Sequence, residues 1–404
     1  MMSIKNAVII GGGVAGPATA LALLKAGIPS TVYEEYGSTA DGVGGVLAVA
    51  PNGLNALGVI GVDIGALGQP IQRQVMADGS GKRWFEFGGL PGLPASRVIW
   101  RSELHRALHD HALERGIRME HGRRLVSVDE TEAGVTAHFA DGSSARGSVL
   151  IGADGIRSTV RKLIDAGAPD PKYVGLLGFG GYAVDSGVSE PADTMYFAMG
   201  KRAFLGYWNA PDGGVMWFSN LPSETPLGFN EARAISASEW LTQLRDVHAD
   251  DVPGRALVEH TGPENLFVLG AMEALPNVPR WHRGRMVLVG DSAHAPSSSS
   301  GQGVSLALES SIELARCLRD VPDVSAAFRS YERLRRPRVE KIAANAAKTN
   351  GRKASGPIAK ALVNLLMPIA LKTVLTPERM FGWTHAYRID WDRAVTAYTP
   401  GARS

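Results

Sequence analysis

Hydrophobic residues near the start of the chain fall into continuous runs separated by glycines. The apolar run Ala7–Ile10 ends at three consecutive glycines, which is typical of a buried parallel strand. The next stretch, Ala18–Lys25, is rich in Ala and Leu and stops before Gly27, as a helix does. A second strand is predicted at Thr31–Tyr33. The start of the chain therefore predicts a strand–turn–helix–strand unit.

The middle of the chain changes to short alternating segments rich in aromatic residues, from Tyr173 to about Phe267. Within this region, Ala203–Trp208 and Val215–Phe218 flank a turn of Asn, Pro, Asp and Gly residues, which predicts a β-hairpin. We interpret the region as a sheet-based domain inserted into the first one. Its aromatic residues are expected to pack the sheet and to line a cleft.

Outside that region the pattern predicts further helices and strands. They are the helix Ser102–Arg115, the strands Arg124–Val128, Val135–Phe139, Ser148–Ile151 and Met286–Val289, a long helix after Gly303, a basic helix Tyr331–Asn350 and an apolar helix Ile358–Leu375. The basic helix is expected to be a solvated outer face. Lysines and a proline interrupt the apolar helix, so we expect it to pack on the core and not to span a membrane.

Composition narrows the class of protein. The 404 residues are 45% hydrophobic and 20% charged, which is typical of a globular protein of two or three domains. Lys and Arg number 42 against 40 Asp and Glu, so no strong positive field favours a nucleic-acid partner. A single cysteine, Cys317, excludes an internal disulfide and a cysteine-based zinc cluster. The start of the chain lacks the pattern of a secretory signal, and we expect a cytoplasmic enzyme.

The first predicted strand is followed by a glycine pattern that is typical of a pyrophosphate-binding turn. Gly11, Gly13 and Gly16 follow Gly-x-Gly-x-x-Gly between strand and helix. The first glycine permits the tight turn, the second lets a pyrophosphate approach the backbone, and the third lets helix and strand pack closely. The amides at the helix start, near Val14 and Ala15, then face the phosphates.

An acidic residue strengthens this interpretation. Glu34 stands 18 residues after Gly16, at the end of the second predicted strand, where a carboxylate accepts hydrogen bonds from ribose hydroxyls. Its charge disfavours a 2′-phosphate at the same site. A bare glycine pattern is a weak signal, but the strand, the helix and the acid together favour a dinucleotide site over a purely structural glycine turn.

Two further motifs distinguish FAD from NAD. Asp154-Gly155 and Gly290-Asp291 each follow a predicted strand, and Gly301-Gln302-Gly303 follows a run of serines. In this order the motifs resemble those of the class A flavoprotein monooxygenases, the single-component family of para-hydroxybenzoate hydroxylase. The resemblance covers most of Ala7–Arg338.

The resemblance implies roles in binding FAD for residues in all of these motifs. Glu34 would hold the adenosine ribose, and Asp291 the ribityl or pyrophosphate end. The backbone of Gly301, Gly303 and Val304 would lie at the edge of the isoalloxazine ring, where a helix dipole stabilises the reduced flavin. The other positions assigned to the cofactor are Glu35, Arg101, Leu125, Asp154 and Gly155.

Two positions depart from the family pattern. Glu35 stands where the family usually has a basic residue after the ribose acid. Ser298 stands where the loop after Gly-Asp usually has a proline, whereas here Pro296 comes earlier. We therefore expect FAD binding to persist while the contacts to the ring face differ.

The resemblance also implies the fold. We expect an α/β protein with a Rossmann-like FAD-binding domain of the GR2 type, an inserted mixed β-sheet substrate domain and a helical C-terminal extension. The expected limits are residues 1–172 and 268–345 for the FAD-binding domain, 173–267 for the substrate domain and 346–404 for the extension. Residues 73–98 are a candidate addition to the substrate domain.

A reaction is implied as well. NADPH or NADH would reduce FAD, O₂ would form a flavin C4a-hydroperoxide, and its terminal oxygen would pass to an aromatic or polyketide-like small molecule. The candidate substrate contacts are Tyr182, Phe197, Tyr207 and Trp217. We find no arginine placed to clamp a carboxylate, which favours a larger or less charged substrate.

Other functions stay open. The same scaffold serves Baeyer–Villiger oxygen insertion, and a non-hydroxylating flavoprotein, either a reductase or a protein that guides a reactive intermediate, is a further alternative. A halogenase is disfavoured because a Trp-x-Trp-x-Ile-Pro run is missing, and a NAD-linked dehydrogenase because of the Gly-Asp motif. The pattern leaves the oligomeric state open.

No other constellation predicts a catalytic group or a metal. His105 and His109 share a helical face, but no Glu stands between them as in a metalloprotease helix. Ser297–Ser300 lack the Gly-x-Ser-x-Gly context of a nucleophile. His294 is expected to support the helix start and not to act as a base, so the catalytic residues stay unassigned.

Overall fold

A computed structural model describes residues 4–38, 45–353, 376 and 378–397 of the chain. The predicted apolar helix Ile358–Leu375 lies outside the described residues. In the part of the chain that the structure describes, no helix combines the length and the apolar character needed to cross a membrane.

The strands and helices are numbered here in chain order. The strands are β1 (Ala7–Ile10), β2 (Ser30–Tyr33), β3 (Val46–Val49), β4 (Gln69–Ile71), β5 (Arg73–Asp78), β6 (Arg83–Gly88), β7 (Ser96–Trp100), β8 (Arg118–Glu120), β9 (Leu125–Glu130), β10 (Val135–Phe139), β11 (Ser144–Gly147), β12 (Val149–Gly152), β13 (Lys172–Ala183), β14 (Thr194–Met199), β15 (Phe204–Asn209), β16 (Val215–Pro222), β17 (Leu266–Ala274), β18 (His282–Arg283) and β19 (Met286–Leu288). The helices are α1 (Ala15–Lys25), α2 (Pro51–Val59), α3 (Arg101–Glu114), α4 (Thr159–Ile164), α5 (Phe229–Ala234), α6 (Ala237–Val247), α7 (Gly254–Glu259), α8 (Gly303–Asp320) and α9 (Val324–Lys353).

The first sheet has the strand order β18-β19-β12-β1-β2-β8, and its strands run parallel except for the antiparallel β18. Every residue of β1 and β12 is buried, as the continuous apolar runs predict. The two strands pair in register, so Ile10 lies beside Gly152. The segments that follow β1, β12 and β19 therefore leave the sheet at one edge, and the predicted strand–turn–helix–strand unit is confirmed.

The second sheet has the order β17-β13-β16-β15-β14-β5-β6 and is mixed, since β14 and β5 are parallel and the other pairs antiparallel. One face packs on helices, with Leu205 and Trp217 in a core shared with Trp240 of α6. The opposite face packs Trp208 against Val98 of the small sheet β3-β7-β4. An α/β fold with a mixed-sheet insertion is thus confirmed.

Strands β5 and β6 form one edge of this second sheet, whereas β7 pairs with β3 and β4. Residues 73–88 therefore lie with the aromatic strands. The domain limits given above stay predictions.

The basic helix differs from its expected solvated position. It belongs to the single long helix α9, and the Arg335 side chain is fully buried. Its guanidinium lies 2.7 Å from a carboxylate oxygen of Glu309 in α8, which Arg338 also contacts at 2.9 Å. Burial acts to raise the pKa of Glu309, but the two guanidinium groups hold it below its ordinary value. A charge cluster therefore attaches α9 to α8.

Glu309→Gln should destabilise the protein because it leaves two guanidinium groups buried without their counter-charge. We expect the free energy of unfolding to fall by about 3–5 kcal/mol. Urea unfolding of the apoprotein measures this. The matched control is Glu259→Gln, which breaks an exposed pair with Arg255 and should cost less than about 1 kcal/mol. Equal losses in the two variants would contradict the role of the buried cluster.

Candidate cofactor and substrate site

Gly11 and Gly16 allow backbone to approach backbone where β1 turns into α1. Gly11 has a φ of +104°, and a Cβ there would overlap the carbonyl oxygen of Ala153. A Cβ on Gly16 would overlap the carbonyl oxygen of Gly11. Gly13 differs, because no heavy atom lies within 4 Å of the position its Cβ would take. Two glycines therefore serve packing, and the third faces open space.

The start of α1 offers backbone amides to that space. Val14 occupies the position before the helix, and no side chain caps it. Ala15, the first residue of the helix, is buried. Uncapped amides at a helix N-terminus favour anionic groups such as phosphates.

Glu34 follows β2 and turns its carboxylate toward the glycine loop. One carboxylate oxygen accepts a hydrogen bond of 2.5 Å from the Gly12 amide, and the other accepts one of 3.0 Å from the Tyr36 amide. Each oxygen keeps a lone pair for a further donor, because a carboxylate offers about four such sites. Glu35 is exposed and has no such position.

His105 on α3 holds the same loop from the other side. Its Nε2 lies 2.9 Å from the Gly12 carbonyl oxygen. Burial lowers the pKa of His105, so the neutral ring is favoured and its Nε2–H donates this bond. The spacing of His105 and His109 in the sequence draws attention only to metal binding and does not predict this bond to Gly12. Within the described residues no group of His, Cys, Asp and Glu side chains forms a metal site.

The Asp-Gly motif forms the turn after β12. The Asp154 carboxylate accepts hydrogen bonds of 2.5 Å from the Ser158 hydroxyl and 3.0 Å from the Val160 amide, and Gly155 has a φ of +76°. Burial raises the pKa of Asp154 against the effect of these bonds. Arg161, in the helix α4 that follows this turn, is buried and donates a hydrogen bond of 3.1 Å to the carbonyl oxygen of Ser292. This hydrogen bond connects the segment after the Asp-Gly motif to the segment after the Gly-Asp motif.

Asp291 lies in the turn after β19 and is exposed, yet the surrounding protein raises the pKa of its carboxyl. That combination is typical of an acid on the floor of a cleft. The charge of Arg101, at the first turn of α3, acts on Asp291 and lowers this pKa in part. Arg101 therefore lies close enough to Asp291 to act on its charge. Leu125 differs, because its side chain is buried at the start of β9.

The start of α8 repeats the open geometry of Gly13. No heavy atom lies within 4 Å of the positions that a Cβ would take on Gly301 or Gly303, and Val304 follows in the first turn. No side chain caps the helix at Gln302, whose Oε1 instead accepts a 2.9 Å bond from Asn52. The first turn of α8 is thus held in place while its amides stay open.

The structure separates the four predicted substrate residues. Phe197 lies on the sheet face that packs toward the small sheet β3-β7-β4. Tyr207 and Trp217 lie on the opposite face in the core, where Trp217 donates 2.9 Å to Thr261. Tyr182 lies against Gly214 at the β15–β16 turn. Phe197 and Tyr182, which is the cross-strand partner of Met216, therefore lie on the face that carries Phe204 and Phe218. Phe197 and Phe204 stack with ring centroids 6.0 Å apart, and Phe218 lies 6.5 Å from Phe197.

The C-terminal end of α9 connects this aromatic face to the loop before Gly301. The Ser297 hydroxyl donates 3.0 Å to the Asn350 side chain. The Lys353 ammonium donates 3.0 Å to the Ser299 hydroxyl and 2.7 Å to the Asn220 side chain of β16. Sequence reasoning missed this lysine, because a helical pattern does not show which distant strand a helix end meets.

His294 agrees with its expected supporting role. Its Nε2 lies 2.8 Å from the Ser310 hydroxyl, and the residue is buried. Burial and the charge of Arg335 lower the pKa of His294 to about 3. A cavity of about 450 Å³ adjoins it, between the end of β17, residues 293–297 and α9, and none of the predicted substrate residues lines it.

These features fit a flavin dinucleotide. Gly13 leaves a cradle that a Cβ would fill, the starts of α1 and α8 present uncapped amides, and Glu34 keeps free lone pairs toward the loop. The chemistry of this donor set matches a diphosphate, a ribose and a ring edge that accepts hydrogen bonds. The positions of individual cofactor contacts stay predictions.

Comparisons with known proteins agree with this site. Residues 5–346 match a family model described as an FAD binding domain. The chain is 30% identical over 352 residues to an FAD-dependent urate hydroxylase of Klebsiella pneumoniae, a match covering 85% of this chain and 89% of that one. It is 32% identical over 363 residues to 3-amino-4-hydroxybenzoate 2-monooxygenase PtmB3 of Streptomyces platensis, covering 83% and 85%.

Solved structures show the same architecture. Klebsiella pneumoniae HpxO, crystallised with FAD and uric acid, has a TM-score of 0.82 at 25% identity, covering 95% of this chain and 96% of that one. The tetracycline destructase Tet(55) has a TM-score of 0.69 at 20% identity, covering 91% and 97%, and this likeness concerns the fold alone.

The contrast between two glycines tests the cradle. Gly13→Ala should leave the apoprotein as stable as the wild type, because its methyl meets no protein atom, yet FAD affinity should fall about tenfold or more through lost phosphate contacts. Gly16→Ala should instead destabilise the apoprotein itself. Isothermal titration of apoprotein with FAD, beside thermal unfolding without FAD, separates the two effects. Unchanged FAD affinity in Gly13→Ala would contradict the cradle.

A matched pair of acids tests the ribose contact. Glu34→Gln should weaken FAD binding by about tenfold, because an uncharged amide accepts ribose hydrogen bonds less strongly than a carboxylate. Glu224→Gln, at an exposed position just after β16, should retain FAD like the wild type. FAD content after gel filtration measures both. Full retention in Glu34→Gln would refute this assignment.

Proposed function

The chain belongs to the FAD binding domain family of class A flavoprotein monooxygenases, and from this membership we propose that it hydroxylates an aromatic or polyketide-like small molecule with O₂ and NAD(P)H. It is an FAD-dependent monooxygenase, like the relatives named above. Those relatives are named for ring compounds, urate and 3-amino-4-hydroxybenzoate. Their names support an aromatic substrate for this chain.

The proposed reaction replaces one C–H bond of the ring by C–OH. One atom of O₂ enters the product, the other leaves as water, and NAD(P)H supplies the two electrons that balance the reduction. Bound FAD supplies the redox chemistry that joins the reductant to O₂. The protein supplies binding, orientation and a water-poor cleft.

One observation carries this proposal: open amides and an aromatic face meet at the same loop. The first turn of α8 begins at Gly303, and the loop before it is bonded through Lys353 to the sheet face of Phe204 and Asn220. The positive end of the α8 dipole there would stabilise negative charge on a reduced ring. The aromatic face would hold a planar substrate beside that ring and exclude water.

Two acidic side chains would contact the cofactor in this proposal. Glu34 would hold the ribose, and Asp291, whose carboxyl lies within the electrostatic reach of Arg101, would accept hydrogen bonds from the ribityl or pyrophosphate end. No acid–base pair is required in this account, because the protein's task is to position the substrate carbon and to keep water out.

Oxidation of NADH and NADPH in air, with hydrogen peroxide counted, tests the proposal. The panel should include urate, 3-amino-4-hydroxybenzoate, simple phenols and polycyclic phenols. We expect one compound to accelerate oxidation at least about tenfold with little peroxide, because binding beside the flavin couples reduction to oxygen transfer. Slow oxidation, or oxidation that yields only peroxide, with every compound would favour the non-hydroxylating flavoprotein instead. Ring-expanded esters or lactones as products would favour Baeyer–Villiger insertion.

A further inference from the structure

We propose that Lys353 determines substrate choice, by pairing its ammonium with the anion of an acidic aromatic ring. This inference rests on the proposed function and names the chemical class of its substrate. The class comprises phenols, enols and ring N–H acids that bind in ionised form.

The position of Lys353 supports this role. It is the last residue of α9, and only 6% of it is exposed. Its Nζ lies 3.8 Å from the centroid of the Phe204 ring, within the aromatic face described above. It also donates to Ser299, two residues before Gly301. The ammonium therefore lies where the loop at the proposed flavin edge meets the proposed substrate wall.

The hydrogen bonds of Lys353 leave capacity for a ligand. An ammonium has three N–H donors, and Asn220 and Ser299 accept two of them. The Asn220 amide is itself oriented, because its Nδ2 donates to the sulfur of Met272 at 3.3 Å. None of the described residues is recorded as accepting from the third donor, which leaves it for an oxygen or nitrogen of a ligand beside the Phe204 ring.

The charge of Lys353 lacks compensation within the part of the chain that the structure describes. Its recorded partners Asn220, Ser299 and Phe204 are uncharged. Three elements of the described chain pack against α9: α8, β13 and the turn Ser298–Ser300. The acidic residues of α8 have their own cations, since Glu309 contacts Arg335 and Arg338, which precede Lys353 by 15 residues or more, and Glu313 and Asp320 contact Arg316 and Arg319. The only charged residue on the other two elements, Lys172, is exposed. Arg352 on α9 is exposed too, and residues 354–375 contain no acidic residue. A buried cation without an anion favours an anionic ligand, because pairing offsets its desolvation.

Burial lowers the pKa of Lys353 to about 7, so the amine gains or loses its proton near neutral pH. An adjacent anion raises that pKa again. For a phenol whose own pKa lies well above 7, the complex of ammonium and phenolate contains the same number of protons as neutral amine and neutral phenol. Affinity should therefore be flat between the two pKa values and fall about tenfold per pH unit on either side.

Lys353 supplies, beside the aromatic strands, the positive charge that an arginine clamp would otherwise supply. The cation at the aromatic strands comes from a helix, because Lys353 follows Asn220 by 133 residues in the chain. The proposed substrate is thus an acidic ring whose charge Lys353 neutralises, in contrast to the larger or less charged substrate that the sequence favours.

The test measures binding to the FAD-loaded protein without NAD(P)H, by isothermal titration. The probes are 2-naphthol and 4-nitrophenol, each paired with its O-methyl ether, which has the same ring but no acidic proton. The wild type should prefer each phenol to its ether by about ten- to a hundredfold, the strength of one charge-assisted hydrogen bond. Equal affinity for phenols and ethers would overturn the proposal.

Two variants of Lys353 distinguish the effect of its charge on substrate binding from its effect on the structure of the site. Lys353→Met keeps the length of the side chain and should lose the preference for phenols while its affinity for the ethers changes less than about threefold. Lys353→Arg should keep the preference, but its affinity for 2-naphthol should rise up to the pKa of the phenol with no break near pH 7, because arginine stays protonated. Lys341→Met is the control, since Lys341 lies on the same helix over the Trp383 ring and is exposed.

Each outcome is decisive. If Lys353→Met fails to retain FAD, the pH profiles of the wild type and Lys353→Arg decide, and coincident profiles would overturn the proposal. If Lys353→Met keeps the wild-type preference, the proposal is refuted. If the preference and its loss are observed but no compound is hydroxylated, the anion site stands and only the proposed reaction fails.

Discussion

The site depends on how closely two backbones approach each other at the carboxyl ends of β1 and β12. A single Cβ on Gly11 or Gly16 would overlap a carbonyl oxygen, and Gly290 is similarly close to Ala15. These contacts bring α1, the turn after β12 and the turn after β19 to one edge of the sheet. Every other feature of the site, from the Glu34 carboxylate to the first turn of α8, is positioned relative to that edge.

Buried charge extends this arrangement toward the second sheet. Glu309 of α8 binds Arg335 and Arg338 of α9, and this orients the long helix along the core. Near the C-terminal end of the same helix, Lys353 lies between Ser299 in the loop before Gly301 and Asn220 on the aromatic strands. Lys353 follows Arg338 by 15 residues, or about four helical turns, so the ion cluster helps to set where Lys353 lies.

Sequence reasoning predicted the local features well. Buried parallel strands appear as continuous apolar runs, and glycines mark close approaches, so β1, β12 and the three motifs could be located without coordinates. Which face of the sheet a side chain occupies is harder to predict from the sequence. Tyr207 and Trp208 are adjacent aromatic residues that point to opposite faces, and no alternation distinguishes the face toward α6 from the face toward the cleft. His105 and Lys353 act through contacts distant in sequence, which periodicity does not encode.

The central claim is that this protein uses bound FAD to insert one atom of O₂ into an aromatic ring. Turnover of the compound that best couples NAD(P)H oxidation, under ¹⁸O₂ in unlabelled water, tests it most directly by mass spectrometry of the product. We expect one ¹⁸O atom in each molecule of hydroxylated product and the second ¹⁸O atom in water. Product oxygen that comes from water, or ¹⁸O found only in hydrogen peroxide, would contradict it.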